Sequence, residues 1–550
     1  TATIQHLRPL IQRPILVLPV HFCVIVGKIP IVRQIGEDIT MKIEIGPIHS
    51  LLHRMPGDVI DIIREECSYQ MENWMFAREK MMGKARISGN NKELDYAINW
   101  DGRINLMYGK TQFPTGLVPK VIERLQIEGH KLTIIDSRVP IKKKSPIGYT
   151  TALEVRPYQQ LAMEAAYKGE RGIIKMPTGA GKTVVGAMLI GKLNTPTLIL
   201  VTKEILIDQW YDELHKFLKL PNVTKDGSML ECVGKVQGRT NEPSFITIAM
   251  IPTLQSWMKR DPSKIAELMG IHPEGWGMKI FDECHRLGAE KTYNVMMRIP
   301  TYYSIGFSAT PLDRIDANLR VMAATGPILY NTEPETLINT GHLAKPKIKF
   351  IQTDRLYFDH WEEYREVYKK GIVFNVQRNK MVADVAIQAA RNGKHVLVFV
   401  DMIDHGGMLY AEMLNELGGI KTPMKSTCLA EFGFVSFVHG THNDREQIFQ
   451  GFKDGNIKIL VATEGLIGEG FDYKGIDVVV VADGGKSSIQ TIQKIGRGMR
   501  VLPGKTEVLI YDFADRCKYL ADHSMQRSTI WMNLGYDVDL TDVPYLEVRV

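Results

Sequence analysis

The segment Met176-Pro177-Thr178-Gly179-Ala180-Gly181-Lys182-Thr183 carries the clearest chemical content of the chain. Its glycines let the backbone curl so that several N–H groups face one anion, and a helix starting there adds positive potential at the same point. In that arrangement Thr178, Gly179, Ala180 and Gly181 line a phosphate cradle. Lys182 reaches the β- and γ-phosphates of a nucleoside triphosphate such as ATP, and Thr183 ligates Mg²⁺. About one hundred residues on, Lys279-Ile280-Phe281-Asp282-Glu283-Cys284-His285 leads an apolar run into two carboxylates. Asp282 is placed to hold Mg²⁺ through water and Glu283 to polarise an attacking water as general base. A zinc site at Cys284 and His285 is disfavoured, because adjacent residues do not easily share one tetrahedral ion and no CxxC or HxxxH partner accompanies them. Ser308-Ala309-Thr310 closes the next apolar run, where Ser308 and Thr310 can bond to the acidic strand end at His285 and relay its state; a plain turn has the same spelling. Upstream, Arg156-Pro157-Tyr158-Gln159-Gln160 precedes an amphipathic run. The Gln159 amide can pair donor and acceptor with an adenine edge beside Arg156, or merely start a helix.

A second set of signals lies near the other end. Ala462-Thr463-Glu464-Gly465-Leu466-Ile467-Gly468-Glu469-Gly470-Phe471-Asp472 is followed by Gln493-Lys494-Ile495-Gly496-Arg497-Gly498-Met499-Arg500. In a helix, Gln493, Arg497 and Arg500 recur at spacings of four and three and share one face. Two guanidinium groups on one face, with Gly496 permitting close approach, can reach a γ-phosphate from across an interface; a basic surface helix looks the same.

These residues need strands and helices to hold them. From residue 150 the sequence alternates apolar runs with amphipathic ones, with strands expected over 172–176, 197–202, 245–250, 278–282 and 303–308. The alternation pauses near 340–346 and resumes with a long helical segment over 360–391 and strands over 396–400, 434–438, 458–462, 477–481 and 507–512. Such alternation implies parallel sheets covered on both faces. Residues 419–432 have no clear period and read as a surface insertion. Before the alternation, a helix is expected over 58–76, a polar stretch over 88–93, a strand–turn–strand over 103–113 and a short helix over 119–126. Lys142, Lys143 and Lys144 lie in a proline-containing linker. The 550 residues carry a net charge of +6, compatible with a polyanion partner without demanding one. Six cysteines without a CxxC pair argue against a disulfide framework and for a reducing compartment, and no apolar run approaches the ~20 residues of a membrane span.

The order of these motifs resembles that of superfamily 2 helicases. The match runs from about Arg156 to Asp515 and includes the glutamine motif, MPTGAGKT, Thr202-Lys203, DECH, SAT, ATEGLIGEGFD and QKIGRGMR. The resemblance implies an α/β fold of two tandem RecA-like parallel-sheet lobes with ATP between them, preceded by a small α+β nucleic-acid-binding domain. It makes Arg497 and Arg500 arginine fingers, Gln493 a sensor of the acidic strand, and Asp472, beside Gly470, a ribose- or phosphate-side acid. A narrower resemblance, Asn99-Trp100-Asp101-Gly102-Arg103-Ile104 followed by Phe113-Pro114-Thr115-Gly116-Leu117-Val118, is to the N-terminal domain of phage UvsW-type recombination helicases.

The expected domains are an extension over 1–40, a DNA-binding domain over 41–146, lobe one over 147–342, lobe two over 343–525 and a tail over 526–550. In the resembled family a nucleic-acid strand crosses both lobes, which nominates Thr202, Lys203 and Thr247 in lobe one and His439, Gly440, Thr463 and Glu464 in lobe two. Trp100 and Arg103, with Lys110 and Lys120 nearby, are nominated in the first domain. The expected activity is that of an ATP-dependent DNA helicase or translocase, 3′-to-5′, remodelling branched DNA in the cytoplasm. An RNA helicase, a restriction-type translocase subunit, or an ATP-gated nucleic-acid clamp that does not move also fits these motifs. Oligomeric state is not encoded in them.

Overall fold

The computed structural model describes residues 41–141, 147–221, 223–225, 228–312, 315–418, 434–440, 442, 444–463, 466, 473–486, 496, 499, 502 and 504–543. The expected 1–40 extension, the run Lys142, Lys143, Lys144 and the expected 419–432 insertion lie outside them.

Two large sheets dominate. The first has the strand order Thr240–Glu242, Val233–Gln237, Ile246–Met250, Thr197–Val201, Met278–Asp282, Tyr303–Ser308, Arg171–Lys175, Ile328–Asn331, all parallel except the hairpin strand at the first edge. The second runs Val435–Val438, Ile459–Thr463, Val396–Val400, Val478–Val481, Glu507–Arg516, Lys345–Arg355, Asp537–Asp539 and is parallel throughout. Thr197–Val201, Val396–Val400 and Val478–Val481 are buried along their whole length, which strands covered by helices on both faces require. These are the two RecA-like lobes. One hydrophobic cluster contains Ile174, Val185 and Ile280 from the first and Phe399, Ala462 and Ile510 from the second.

A four-stranded sheet, Gln112–Pro114, His49–His53, Met41–Ile45, Leu132–Asp136, forms the first domain. Its core continues into lobe one: Ile43, Phe113, Leu117 and Leu125 share a cluster with Phe281 and Ala324. The expected helix over 58–76 is two helices, Gly57–Glu66 and Trp74–Ser88, separated by strand Ser68–Gln70. The polar stretch at 88–93 is the turn of a helical hairpin, in which Gly89 ends one helix and the Asn90 side chain caps the next, Asn91–Asn99. The turn of the expected strand–turn–strand over 103–113 is present, with Tyr108 bridged to Gln112, but Arg103–Asn105 pairs with Ser68–Gln70 and Gln112–Pro114 joins the four-stranded sheet.

Two further expectations change in lobe two. The helical segment over 360–391 is broken into Tyr364–Tyr368, a π turn Lys369–Val373 and a new helix Val376–Arg391, because the Asn375 side chain accepts from the Arg378 N–H at 3.1 Å and restarts the helix. The boundary drawn at 525 falls inside helix Leu520–Asn533. Arg527 on that helix is wholly buried against Asp512 at 2.9 Å, and Asp537–Asp539 extends the second sheet, so this stretch is part of the lobe.

Candidate active site

The phosphate loop leaves the C-terminal end of Arg171–Lys175 and enters helix Lys182–Leu193. Gly179 and Gly181 take φ values of 83° and 85°, the left-handed region in which a glycine avoids the Cβ penalty. No side chain caps the helix at Gly181, which leaves first-turn N–H groups open for an anion. The Thr178 hydroxyl is buried with no hydrogen-bond partner among the described residues, as suits a residue completed by a ligand. Lys182, at the head of the helix, donates to Glu283 Oε1 at 2.7 Å.

The two carboxylates arrive on Met278–Asp282, two strands from the phosphate-loop strand with Tyr303–Ser308 between them. Asp282 Oδ2 accepts from the Trp210 indole N–H at 3.0 Å and Oδ1 from the Glu283 N–H at 3.0 Å. Glu283 takes a left-handed φ of 55°, at roughly 1–2 kcal/mol for an L-residue, and this reverses the chain directly after Asp282. Its second oxygen, Oε2, accepts from the Ser308 hydroxyl at 3.4 Å. His285 Nδ1 lies 3.1 Å from the same hydroxyl and 3.4 Å from Glu283 Oε2, and the Thr310 N–H donates to Ser308 Oγ at 3.2 Å. Lys182, Glu283, His285, Ser308 and Thr310 thus form one connected network. Cys284 turns the other way, against Gly306 in the core, and burial pushes its thiol up.

The carboxylates are electrostatically unequal. Burial pushes the Asp282 carboxyl above its ordinary range, the adjacent Glu283 charge adds to this, and Lys182 opposes it. Burial also disfavours charge on Glu283, but the Lys182 ammonium and His285 outweigh it and hold Glu283 well below the usual carboxylate range. The hydroxyl of Thr183 and the carboxylate of Asp282 are hard oxygen donors of the kind Mg²⁺ takes.

Gln159 does not offer an adenine edge here. Its Oε1 accepts from the Arg156 N–H at 3.0 Å and its Nε2 donates to the Ala180 carbonyl at 3.0 Å, so the amide braces the phosphate loop from a buried position. The Tyr158 hydroxyl donates to the same carbonyl at 2.9 Å, and the Arg156 guanidinium donates to Tyr158 at 3.1 Å. Sequence reasoning missed Tyr158 and Trp210. Trp210 sits on the apolar stripe of helix Glu204–Phe217 and reads as core; only Gly186, where a Cβ would lie 2.6 Å from its ring, hints at a fixed indole.

Lobe two reaches this site through Gly496. A Cβ there would stand 2.4 Å from the Thr178 Cβ, so the backbone at Gly496 rests on the phosphate loop. Gln493, Arg497, Arg500, Glu464, Gly470 and Asp472 lie outside the described residues.

On the nominated strand path, Thr202 and Lys203 follow strand Thr197–Val201. In lobe two Val400 pairs with Thr463 and Val438 with Ala462, which sets Thr463, His439 and exposed Gly440 along one C-terminal sheet edge. Thr247 does not belong to this path. It is fully buried near the start of its strand, and its hydroxyl bonds to the backbone of Ser244 in both directions. Trp100 is also committed internally, donating its indole N–H to the Arg103 carbonyl at 2.9 Å with its ring edge-on to Trp74, while the Arg103 side chain is exposed. Lys120 is ion-paired with Glu66.

Two family models match the chain, "Type III restriction enzyme, res subunit" over residues 152–313 and "Helicase conserved C-terminal domain" over residues 377–502. The chain belongs to the superfamily 2 helicase family. The first match holds the phosphate loop, the DECH strand and the SAT turn of this helicase, and the second holds Gly496. The "DNA 3'-5' helicase XPB" of Mycobacterium tuberculosis is 24% identical over 396 residues, 71% of this chain and 66% of that protein. The "ATP-dependent DNA helicase uvsW" of Enterobacteria phage T4 is 22% identical over 444 residues, 76% of this chain and 82% of that protein. The chain spans 64–66% of the lengths of the Halobacterium salinarum Rad25 protein and of the Mycobacterium tuberculosis and Kineococcus radiotolerans XPB proteins. A solved fragment described as an HsdR subunit of a type I restriction enzyme from Vibrio vulnificus shares the fold, with a TM-score of 0.50 at 19% identity over 71% of this chain and 69% of that one.

Proposed function

We propose that this helicase is an ATP-driven DNA motor, moving 3′-to-5′ and remodelling branched DNA. The single observation that carries the motor reading is the network from Lys182 through Glu283 to His285, Ser308 and Thr310, with Gly496 of the other lobe resting on Thr178. The DNA substrate and its polarity rest on the names of the relatives, and the branched substrate on the likeness to the uvsW protein.

The chemistry follows from the electrostatics. Lys182 faces two possible anions, Glu283 and the triphosphate of the substrate. When the ammonium turns to phosphate, Glu283 loses its counterion and its proton affinity rises, which is what a general base requires. Thr183 and Asp282 would hold Mg²⁺, which would supply positive charge against the phosphates. Arg497 and Arg500 supply guanidinium groups from the opposite lobe, so hydrolysis depends on lobe closure. Ser308 and Thr310, bonded to the acidic strand end, pass its state towards the strand path at Thr202, Lys203, His439, Gly440, Thr463 and Glu464.

The test is Glu283→Gln. Turnover should fall by about 10²–10⁴ while fluorescent ATP analogues still bind, because Gln accepts the Lys182 bond but cannot take a proton. Wild-type turnover in that variant removes the assigned base. ATPase stimulation and strand displacement on duplex DNA, forks, four-way junctions and RNA, with Lys182→Ala as control, decide the substrate. Stimulation by RNA alone overturns the DNA reading, and binding to forks without turnover identifies a static clamp.

A further inference from the structure

The helical hairpin Trp74–Ser88 and Asn91–Asn99 projects from the first domain, and of its residues only Ala85 and Ala97 are buried. Its base is fixed. Gly102 abuts the Trp74 ring, Gln70 Nε2 donates to the Asp101 carbonyl at 2.8 Å, and Ser68–Gln70 pairs with Arg103–Asn105. The two helices otherwise pack on each other. Phe76 is 76% exposed and Ile87 91%, although large apolar side chains gain free energy by leaving water.

The exposed side has a pattern. Phe76, Lys80, Gly83, Lys84 and Ile87 follow at helical spacing and share one stripe about 16 Å long. Trp74, Arg78, Met81, Met82 and Ala85 face the partner helix and are shielded. The first helix carries Arg78, Lys80, Lys84 and Arg86 against Glu79 alone, whereas cations and anions are equal in number over residues 41–136, so the positive excess is local. Among the described residues neither Lys80 nor Lys84 forms an ion pair. Gly83 is the second, independent feature. A glycine within a helix costs roughly 1 kcal/mol relative to alanine, yet a Cβ there would meet nothing within 4 Å. Among the described residues no neighbour demands it, and its effect is to let something outside approach the helix backbone between the two lysines.

We propose that this stripe is a docking face for duplex nucleic acid at a branch point, with Lys80 and Lys84 on phosphates astride Gly83 and Phe76 and Ile87 against the unstacked base pairs at the fork. The chemistry is that of backbone neutralisation by lysines with apolar wedges at a distorted base step. This rests on the nucleic-acid reading above and moves the first domain's contact from Trp100 to the arm.

The experiment compares Lys80→Glu/Lys84→Glu and Phe76→Ala/Ile87→Ala with wild type, in the full chain, by fluorescence anisotropy on a forked DNA and a single strand across a salt series. The charge variant should lose fork affinity and reduce the slope of log K against log salt by about two, one per phosphate contact. The apolar variant should lose fork affinity with the slope unchanged. In both, single-strand affinity, DNA-free ATPase and melting temperature should stay at wild-type values, since the changed side chains are exposed. Fork affinity and slope unchanged in the charge variant overturn the assignment while leaving the motor reading intact. A wild-type protein that binds no nucleic acid overturns both. A change in sedimenting mass with fork binding unaltered assigns the stripe to a second copy of the chain and also overturns it.

Discussion

Asp282 is held by a tryptophan, which ties the carboxylate proposed to hold the metal to the packing of a helix. Trp210 donates its indole N–H to Asp282 Oδ2, and its ring fits over Gly186. Trp210→Phe keeps a ring there but removes the donor, leaving a buried carboxylate oxygen short of one bond, a loss of about 1.5–3 kcal/mol for a charged acceptor. Burial already raises the Asp282 pKa, so losing a bond to its charged form raises it further. The Mg²⁺ concentration for half-maximal ATPase activity should rise several-fold, as a Mg²⁺ titration would show, with ATP-analogue binding without metal unaffected. Lys182, Asp282 and Glu283 were legible because strand, loop and helix fix their positions within a few residues of local sequence. Gln159 and Thr247 were misread because a side chain's partner depends on what folds over it. Both satisfy backbone groups, and no spacing rule reports that.

At the scale of elements, Thr115–Leu117 docks the first domain on lobe one. A Cβ on Gly116 would lie 2.1 Å from the Met322 carbonyl oxygen and 2.5 Å from that of Ala323, and a backbone cannot yield. Gly116→Val should destabilise by about 1–3 kcal/mol as an overpacked contact does. The expected signature is a separate, earlier melting transition and proteolysis confined to the first domain, with ATP binding retained. This segment carries part of the sequence resemblance to UvsW-type N-terminal domains, and its residues are core. The parallel strands Val396–Val400 and Val478–Val481 were legible because they are apolar from end to end, whereas Lys345–Arg355, with charged residues along its length, was not expected. Helix Leu520–Asn533 was not, because its inward face carries His523, Ser524, Arg527 and Ser528, whose polar groups are satisfied internally, so no apolar stripe marks it. The short strands Ser68–Gln70 and Arg103–Asn105 pair across more than thirty residues and leave no periodic trace.

For the whole molecule, one described point at which lobe two meets the phosphate loop is the backbone of Gly496. With a Cβ at Gly496 only 2.4 Å from Thr178, Gly496→Val should prop the lobes apart. ATP should still bind to lobe one, while turnover falls and small-angle scattering of the ATP-analogue complex reports a larger radius of gyration than wild type. The tandem arrangement of two parallel sheets could be read from the alternation of apolar and amphipathic runs; the seating of one lobe's glycine on the other's threonine could not, since nothing in either segment names its distant neighbour. The salt link between Lys182 and Glu283 has a corollary for the proposed motor. Any anion that draws the ammonium away leaves the carboxylate without its counterion, so gripping the fuel and arming the base would be one act.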